Sequence, residues 1–314
     1  MNGIPQATIL MCTFNAQNFI QMQLESLLNQ TYQNIKIIIY DDNSTDDTLK
    51  IINGILANTE RNVILRCNVQ NSGGACENFI KILKDNACEK YIFFSDQDDV
   101  WEKTKVEIMM NKMMELEKKK KIPYMICHNC EVTDEELNII DYKIIDSVNF
   151  WKLIMHPTIQ GCCMMINDKA VNKLKLDDCF FYMHDWYISL VISLCGHIEV
   201  LEDSLIKYRQ HSNNQIGYKK IKYMIRIKNI LNMKLKVNNY VKVLKQLYSV
   251  SIIEHHLFLK SFREVYENGN KLKVIKFFWE NHVIEHNIHG IYQAIILMKA
   301  MYKIYGERKK AIGI

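Results

Sequence analysis

Four short apolar runs in the first hundred residues each stop at a polar or acidic cluster, and this arrangement restricts the fold more than any other feature of the chain. "ATILMC" (7–12) leads to Thr13 and Asn15, "IKIIIY" (35–40) to Asp41 and Asp42, "NVILRC" (62–67) to Asn71 and Gly73, and "KYIFFS" (90–95) to Asp96, Asp98 and Asp99. Short, continuously apolar runs of this kind suit strands buried on both faces. Segments with helical spacing lie between them. Residues 17–30 repeat Phe19, Ile20, Leu24, Leu27 and Leu28, residues 44–56 open on a Ser/Thr-Asp helix start, and 75–86 form a third helix. Strands alternating with helices imply an α/β chain with a mainly parallel central sheet. Ligands of such sheets bind beyond the C-terminal strand ends, where all four polar clusters stand.

The next segment, 103–218, mixes a charged helix, "KTKVEIMMNKMMELEKKKK", with short strands in "YMICHN" and "TIQGCCMMIN" and two more in "IEVLEDSLIKYRQH". "HDWYISLVISLCG" reads as a helix that ends at Gly196. The character changes after Gly217: residues 219–250 carry nine Lys/Arg and no Asp/Glu, interleaved with apolar residues. We expect a domain boundary near 218, followed by a helical C-terminal region over 219–314.

Composition excludes several classes. With 48% hydrophobic and 24% charged residues the chain is an ordinary globular protein rather than a disordered one. No apolar run reaches the roughly 18–20 residues that span a bilayer. The start "MNGIPQATIL" has no basic segment and no long apolar core. A cytoplasmic location is the expectation. The basic 219–250 stretch reads equally as a peripheral contact with the inner face of an anionic membrane or as a packed helical subdomain. Ten cysteines lie mostly in apolar stretches, as buried thiols do. Cys127 and Cys130 form a single C-x-x-C without the second pair that a structural zinc needs. No nucleic-acid-binding module is visible.

"SDQDDVW" (95–101) carries the chemistry. Three carboxylates in four residues raise one another's pKa unless a cation neutralises them. Oxygen ligands select hard cations, here Mn²⁺ or Mg²⁺, and Mg²⁺ commonly completes its shell with substrate phosphates. A solvated acidic turn is the alternative reading.

Taken in order, "MCTFNAQNFIQMQLESLLNQTY", "IIIYDDNSTDDT", "NSGGACENF", "SDQDDVW", "QGCCMMIN", "HDW" and "YRQHSNN" resemble a family 2 glycosyltransferase with the GT-A fold, over roughly residues 6–218. The forms "SDQDDVW", "HDW" and "YRQH" are most similar to a rhamnosyltransferase-type branch that builds bacterial cell-surface polysaccharides. The resemblance implies a nucleotide-binding half over 1–100 and an acceptor half over 101–218. It implies a nucleotide-diphosphate sugar donor, dTDP-rhamnose or a UDP-hexose, and a saccharide or lipid-linked acceptor. Thr13, Phe14 and Asn15 would lie near the base and Asp42 on the pyrimidine ring, with Asn71 and Gly73 on the donor side. Asp96 would touch the ribose, Asp98 would bind the metal, and Asp99 would be a second ligand or would orient Asp98. Arg209 and His211 would close over the diphosphate. Gly161 and Trp186 would line the acceptor side, and Asp185 would be the general base of a single inverting displacement. Asp185 also suits a helix N-cap. Glu77 stands where relatives often carry Arg or Lys, and Glu102-Lys103 replaces the usual apolar residue and Pro. A non-catalytic nucleotide-sugar binding protein and a nucleotidyltransferase are the rival functions. The first has no need of a base, and the second normally carries a Gly-rich, basic phosphate loop absent from "MCTFNAQN".

Overall fold

The computed structural model describes residues 3–146, 148–155, 157–177, 183–212 and 214. The region expected to be helical beyond 218 lies outside the described residues. The described chain falls into two compact units, one built from residues within 1–147, 159–176 and 196–219, the other from residues within 148–158 and 177–195.

The first unit is built on one sheet. Its strands are β1 (Ala7–Thr13), β2 (Ile35–Asp41), β3 (Asn62–Cys67), β4 (Tyr91–Ser95), β5 (Val100–Trp101), β6 (Tyr124–Thr133), β7 (Ile139–Lys143), β8 (Met164–Asn167) and β9 (His197–Arg209). They run in the order β3-β2-β1-β4-β8-β6-β9-β5, with β7 added beside β6. The four strands from the first hundred residues are all parallel. The rest is mixed: β8 is antiparallel to β4 and β6, whereas β9 is parallel to β6. The expected pair of strands in "IEVLEDSLIKYRQH" is one long strand, β9, whose register against β6 slips at His128/Asn129 and again at Asn129/Glu131. Irregular pairing lets it continue where a turn was expected. "TIQGCCMMIN" yields a tight turn at Gly161–Cys163 and only four strand residues.

The helices of this unit are α1 (Ile20–Leu28), α2 (Thr48–Leu56), α3 (Ala75–Asp85), α4 (Lys105–Lys119) and a short helix at Asp168–Val171. Alternation along each strand sends side chains to both faces. One face packs Ile9, Met11, Ile37, Ile39 and Phe93 with Leu24 and Leu27 of α1, Ile52 of α2 and Met109 and Met113 of α4. On the other face Phe94 meets Phe79 of α3, ring centroids 6.2 Å apart. At the start of β9, Gly196 fills a place no other residue fits, because an added Cβ would stand 2.3 Å from the Pro123 carbonyl oxygen. Cys127 and Cys130 are three apart on β6, so their side chains leave opposite faces of the sheet.

The second unit, among the described residues, contains a short helix at Phe150–Met155 and a helix at His184–Cys195. Residues Asp185 to Ile192 of the latter are all buried, which accounts for its nearly all-apolar sequence. Among the described residues no helix is long and apolar enough to cross a membrane.

Candidate active site

The parallel strands deliver their C-terminal ends to one side, and the loops that leave them are stitched together by side chains. The loop after β1 and the loop after β2 form the first pair. Thr13 Oγ1 donates to Asp41 Oδ2 at 2.8 Å. The Ser44 amide and hydroxyl also donate to Asp41, at 2.8 and 2.7 Å. Asp41 is fully buried and holds this turn. Asn15 has φ +48, a conformation that Asn tolerates better than most residues. Its side-chain oxygen accepts from the Thr45 amide at 2.9 Å.

Asp42 faces the loop after β3. Its carboxylate accepts from Asn68 Nδ2 at 2.7 Å, the Ser72 amide at 2.7 Å and the Ser72 hydroxyl at 2.8 Å. Asn71 Nδ2 reaches the Asp42 carbonyl at 3.3 Å, and Asn71 Oδ1 accepts from the Gly73 amide at 2.9 Å. Gly73 has φ +104, which a side chain would strain. Asn71 and Gly73 thus shape the loop that wraps Asp42. A carboxylate offers about four acceptor positions, and three of Asp42's are taken within the protein.

The D-x-D-D loop follows β4. Asp98 and Asp99 point to different partners. Asp98 Oδ2 meets His211 Nε2 at 2.8 Å and Asn214 Nδ2 at 3.2 Å. The His211 ring is also stacked on Phe19, with centroids 4.4 Å apart. A carboxylate can only accept, so His211 Nε2 carries the proton in this arrangement. Asp99 is fully buried. Its Oδ1 accepts from the Arg209 amide at 3.1 Å. Its Oδ2 has no hydrogen-bond partner among the described residues, although the nearby Cys162 thiol pulls the carboxyl pKa down. Burial, then the charges of Asp98 and Asp96, push the Asp99 pKa well above the ordinary carboxylate range. One ligand atom each from Asp96, Asp99 and Cys162 lie within 4.8 Å of one another. Asp98 stands outside that group.

Arg209 braces the loop from beneath. It is 4% exposed. Its Nε donates to the Asp98 carbonyl at 2.9 Å and its Nη1 to the Glu135 carbonyl at 2.6 Å. The guanidinium carbon stands 5.0 Å from the Phe19 ring centroid. These donors serve main-chain carbonyls.

Several contributors were invisible in the sequence. Gln23 of α1, flanked by apolar neighbours, is fully buried and donates to Ser95 Oγ at 2.7 Å and to the Asp96 carbonyl at 3.1 Å. Gln30 donates to the Glu102 carbonyl at 2.8 Å, and Ser26 Oγ accepts from the Trp101 amide at 3.0 Å. Helix α1 and Gln30 just beyond its end therefore carry a polar stripe that fixes both sides of the aspartate loop. Its only sequence signal is Gln, Ser and Gln at spacings of three and four. Lys105 is also fully buried, donating to the Cys162 carbonyl at 2.5 Å with its ammonium 3.5 Å from the Trp101 ring centroid. Burial lowers its pKa to about 8. It ties the Gly161–Cys163 turn, including the buried Gly161, to the segment that follows the aspartates.

Asp185 and Trp186 belong to the second unit. Asp185 sits in the first turn of its helix rather than at the cap, and its Oδ1 accepts from the Trp186 amide at 2.7 Å. Trp186 is buried, with its indole N–H on the Leu153 carbonyl at 2.5 Å. Burial lowers the pKa of the neighbouring His184.

Residues 8–175 match the family model "Glycosyl transferase family 2". The chain is 28% identical to a dTDP-rhamnosyl transferase, RfbG, of Shigella flexneri, over 66% of this chain and 73% of that protein. It is also 28% identical to WfaP of Escherichia coli, a UDP-Glc:α-D-GlcNAc-diphosphoundecaprenol β-1,3-glucosyltransferase, over 71% of this chain and 84% of that protein. In fold it is similar to Staphylococcus aureus TarS in complex with UDP, with a TM-score of 0.53 and 17% identity over 66% of this chain and 61% of that one. It is similar too to the mannosyltransferase PcManGT of Pyrobaculum calidifontis in complex with GDP-Man and Mn²⁺, with a TM-score of 0.51 and 12% identity over 96% of this chain and 87% of that one. The sheet order, the aspartate loop after β4 and these matches converge: the chain is a GT-A-fold glycosyltransferase and belongs to family 2.

Proposed function

We propose that the protein moves a sugar, rhamnose in the first instance, from a nucleotide-diphosphate donor to a saccharide or lipid-linked saccharide during synthesis of a cell-surface polysaccharide. The names of RfbG and WfaP support the donor and acceptor classes. A UDP-hexose is the second donor. The observation that carries the reading is the aspartate loop, where Asp98 meets His211 at 2.8 Å and the buried Asp99 next in sequence has an oxygen with no hydrogen-bond partner among the described residues.

These residues fit a divalent cation. Crowded carboxylates with a buried, unsatisfied oxygen gain when a positive charge joins them. In this reading Asp98 would be the principal ligand, with Asp96 and Asp99 as the further carboxylates of the site. Oxygen-rich ligation favours Mn²⁺ or Mg²⁺. Bound there, the ion supplies Lewis-acid stabilisation of a departing diphosphate.

The chain's own residues supply the rest. Thr13, Phe14, Asn15 and Asp42, with the loop of Asn71 and Gly73, form the donor-side wall. Asp42 has one acceptor position left for a pyrimidine N–H, and Asp96 contacts the ribose. Arg209 adds positive charge beneath the loop and holds it in shape, and His211 completes its edge. Asp185 takes the proton from the acceptor hydroxyl, Gly161 and Trp186 shape the acceptor side, and a single displacement inverts the anomeric centre. A general base needs its proton within hydrogen-bond reach and a pKa suited to the task. The basic 219–250 stretch suits work against an anionic membrane on the cytoplasmic side.

Incubation with dTDP-rhamnose and UDP-hexoses, with Mn²⁺ and lipid-linked acceptors, tests this. Transfer with release of nucleoside diphosphate supports it. Release of pyrophosphate would mark a nucleotidyltransferase, and tight donor binding without transfer to any acceptor would mark a binding protein.

A further inference from the structure

The loop after β1 is held from two directions, and one residue stands apart. The Asn15 amide donates to Ser44 Oγ at 2.9 Å, the Ala16 amide to Thr48 Oγ1 at 2.7 Å and the Gln17 amide to Asp46 Oδ2 at 3.1 Å. All three anchors lie between β2 and the first turn of α2. Phe14 is anchored elsewhere. Its amide donates to Gln97 Oε1 at 2.6 Å, and its carbonyl accepts from Gln97 Nε2 at 3.1 Å. Gln97 is the middle residue of Asp96-Gln97-Asp98. A primary amide carries one acceptor and one donor group side by side, so a single side chain here satisfies both main-chain groups of a residue on another loop.

Phe14 is 44% exposed. Large apolar side chains are usually buried, and an exposed aromatic face is a surface on which a nucleobase can stack. We propose that Gln97 is a positioning residue. It fixes the Phe14 peptide so that the ring presents its face to the nucleobase, and it ties that ring to the loop that bears Asp96 and Asp98. This rests on the donor-binding reading above. Glu, which accepts but does not donate, and Ala, which does neither, cannot reproduce the clamp.

Calorimetric titration of the full chain with UDP and dTDP in Mn²⁺ tests it, using wild type, Gln97→Ala, Phe14→Ala and the double variant, with pyrophosphate as a base-free probe. Losing two neutral hydrogen bonds corresponds to a loss of about five- to thirtyfold in nucleoside-diphosphate affinity. Gln97→Ala should lose affinity on this scale yet bind Mn²⁺-pyrophosphate like wild type. In the Phe14→Ala background, the same change should cost less than about twofold, because the two residues act as one unit. Equal losses in both backgrounds, an unchanged Gln97→Ala affinity, or a matching loss for pyrophosphate would each overturn the proposal. Failure of wild type to bind either nucleotide would instead overturn the donor-binding reading. Should Gln97→Ala fold poorly, Gln97→Met, uncharged and of similar length, removes both hydrogen bonds and serves in its place.

Discussion

His211 joins Asp98 edge-on through a 2.8 Å contact while lying face-on against Phe19, 4.4 Å between ring centroids. One aromatic stack thus aims an imidazole at the central carboxylate of the aspartate loop. The stack also links the chain after β9 to the residue that precedes α1. Asn214 adds a second donor to the same Asp98 oxygen and also accepts from the His211 amide at 2.5 Å. Arg209, His211 and Asn214 therefore all converge on Asp98.

Asp98→Asn should abolish metal-dependent donor binding while leaving the fold intact. The substitution keeps an oxygen for His211 and Asn214 but removes one charge from a repelling set. Nucleoside-diphosphate affinity measured with and without Mn²⁺ should lose most of its metal dependence, and the melting temperature should stay level or rise. An unchanged Mn²⁺ dependence would remove Asp98 from the metal role.

The strand ends were legible because continuous apolar runs have few other uses, and the four parallel strands stand where those runs are. The roles of the residues at the ends were less legible. Asp41 and Asp42 are adjacent and chemically alike, yet Asp41 is taken up by Thr13 and Ser44 and Asp42 by Asn68 and Ser72. Strand alternation sends neighbouring side chains to opposite faces, but their partners come from loops whose course local sequence does not encode. The same limit hid Gln23, Gln97 and Asn214. Each acts across 70 or more residues, on Ser95, Phe14 and Asp98 respectively. Arg209 was read as a phosphate contact from its motif, and the structure has it bonded to two carbonyls. A buried guanidinium and an exposed one look the same in sequence.

Arg209→Lys should separate those two roles. Lysine keeps the charge but not the planar fork that reaches two carbonyls at once. If Arg209 is chiefly a brace, urea denaturation should register a loss of about 1–3 kcal/mol, since hydrogen bonds from a charged group vanish and buried carbonyls lose their partners. Pyrophosphate affinity should change little in the fraction that remains folded. A loss of phosphate affinity without loss of stability would assign Arg209 to the diphosphate.

Stability should fall as pH drops below about 6.5, and His128 should account for much of the slope. His128 is fully buried. Its Nδ1 lies 2.6 Å from the Asn129 carbonyl, and its Nε2 has no partner among the described residues. The neutral ring with the proton on Nδ1 fits this setting. Burial, with the Lys105 charge second, lowers its pKa from 6.5 to about 4. The unfolded chain takes up the proton first as pH falls, so stability is complete above 6.5 and is lost progressively toward 4, by up to about 3 kcal/mol. Melting temperatures between pH 7.5 and 4.5 should fall less steeply in His128→Phe, which keeps the ring and cannot titrate. Parallel slopes in the two proteins would assign the acid sensitivity to other groups.

Asp185 is the residue whose two readings differ most in consequence. It lies in the first helical turn, where a carboxylate is favoured by the helix dipole, and its Oδ1 accepts from the Trp186 amide at 2.7 Å. Asparagine offers the same carbonyl-type oxygen to that amide, so Asp185→Asn should keep the local geometry and melt within a degree or two of wild type. Donor and metal affinity should also survive, because a base acts on the acceptor. Turnover should still fall by roughly 10²–10⁴-fold, the usual contribution of acid–base catalysis. Asp185→Ala should lose turnover and also some stability, since it removes the acceptor from the helix start. A purely structural Asp185 predicts the opposite pattern, with sugar transfer kept in the Asn variant and stability lost in the Ala variant. Sugar transfer and melting temperature measured side by side on both variants distinguish the two. Near-normal transfer by Asp185→Asn would eliminate it as the base and move attention to His184, which burial keeps neutral.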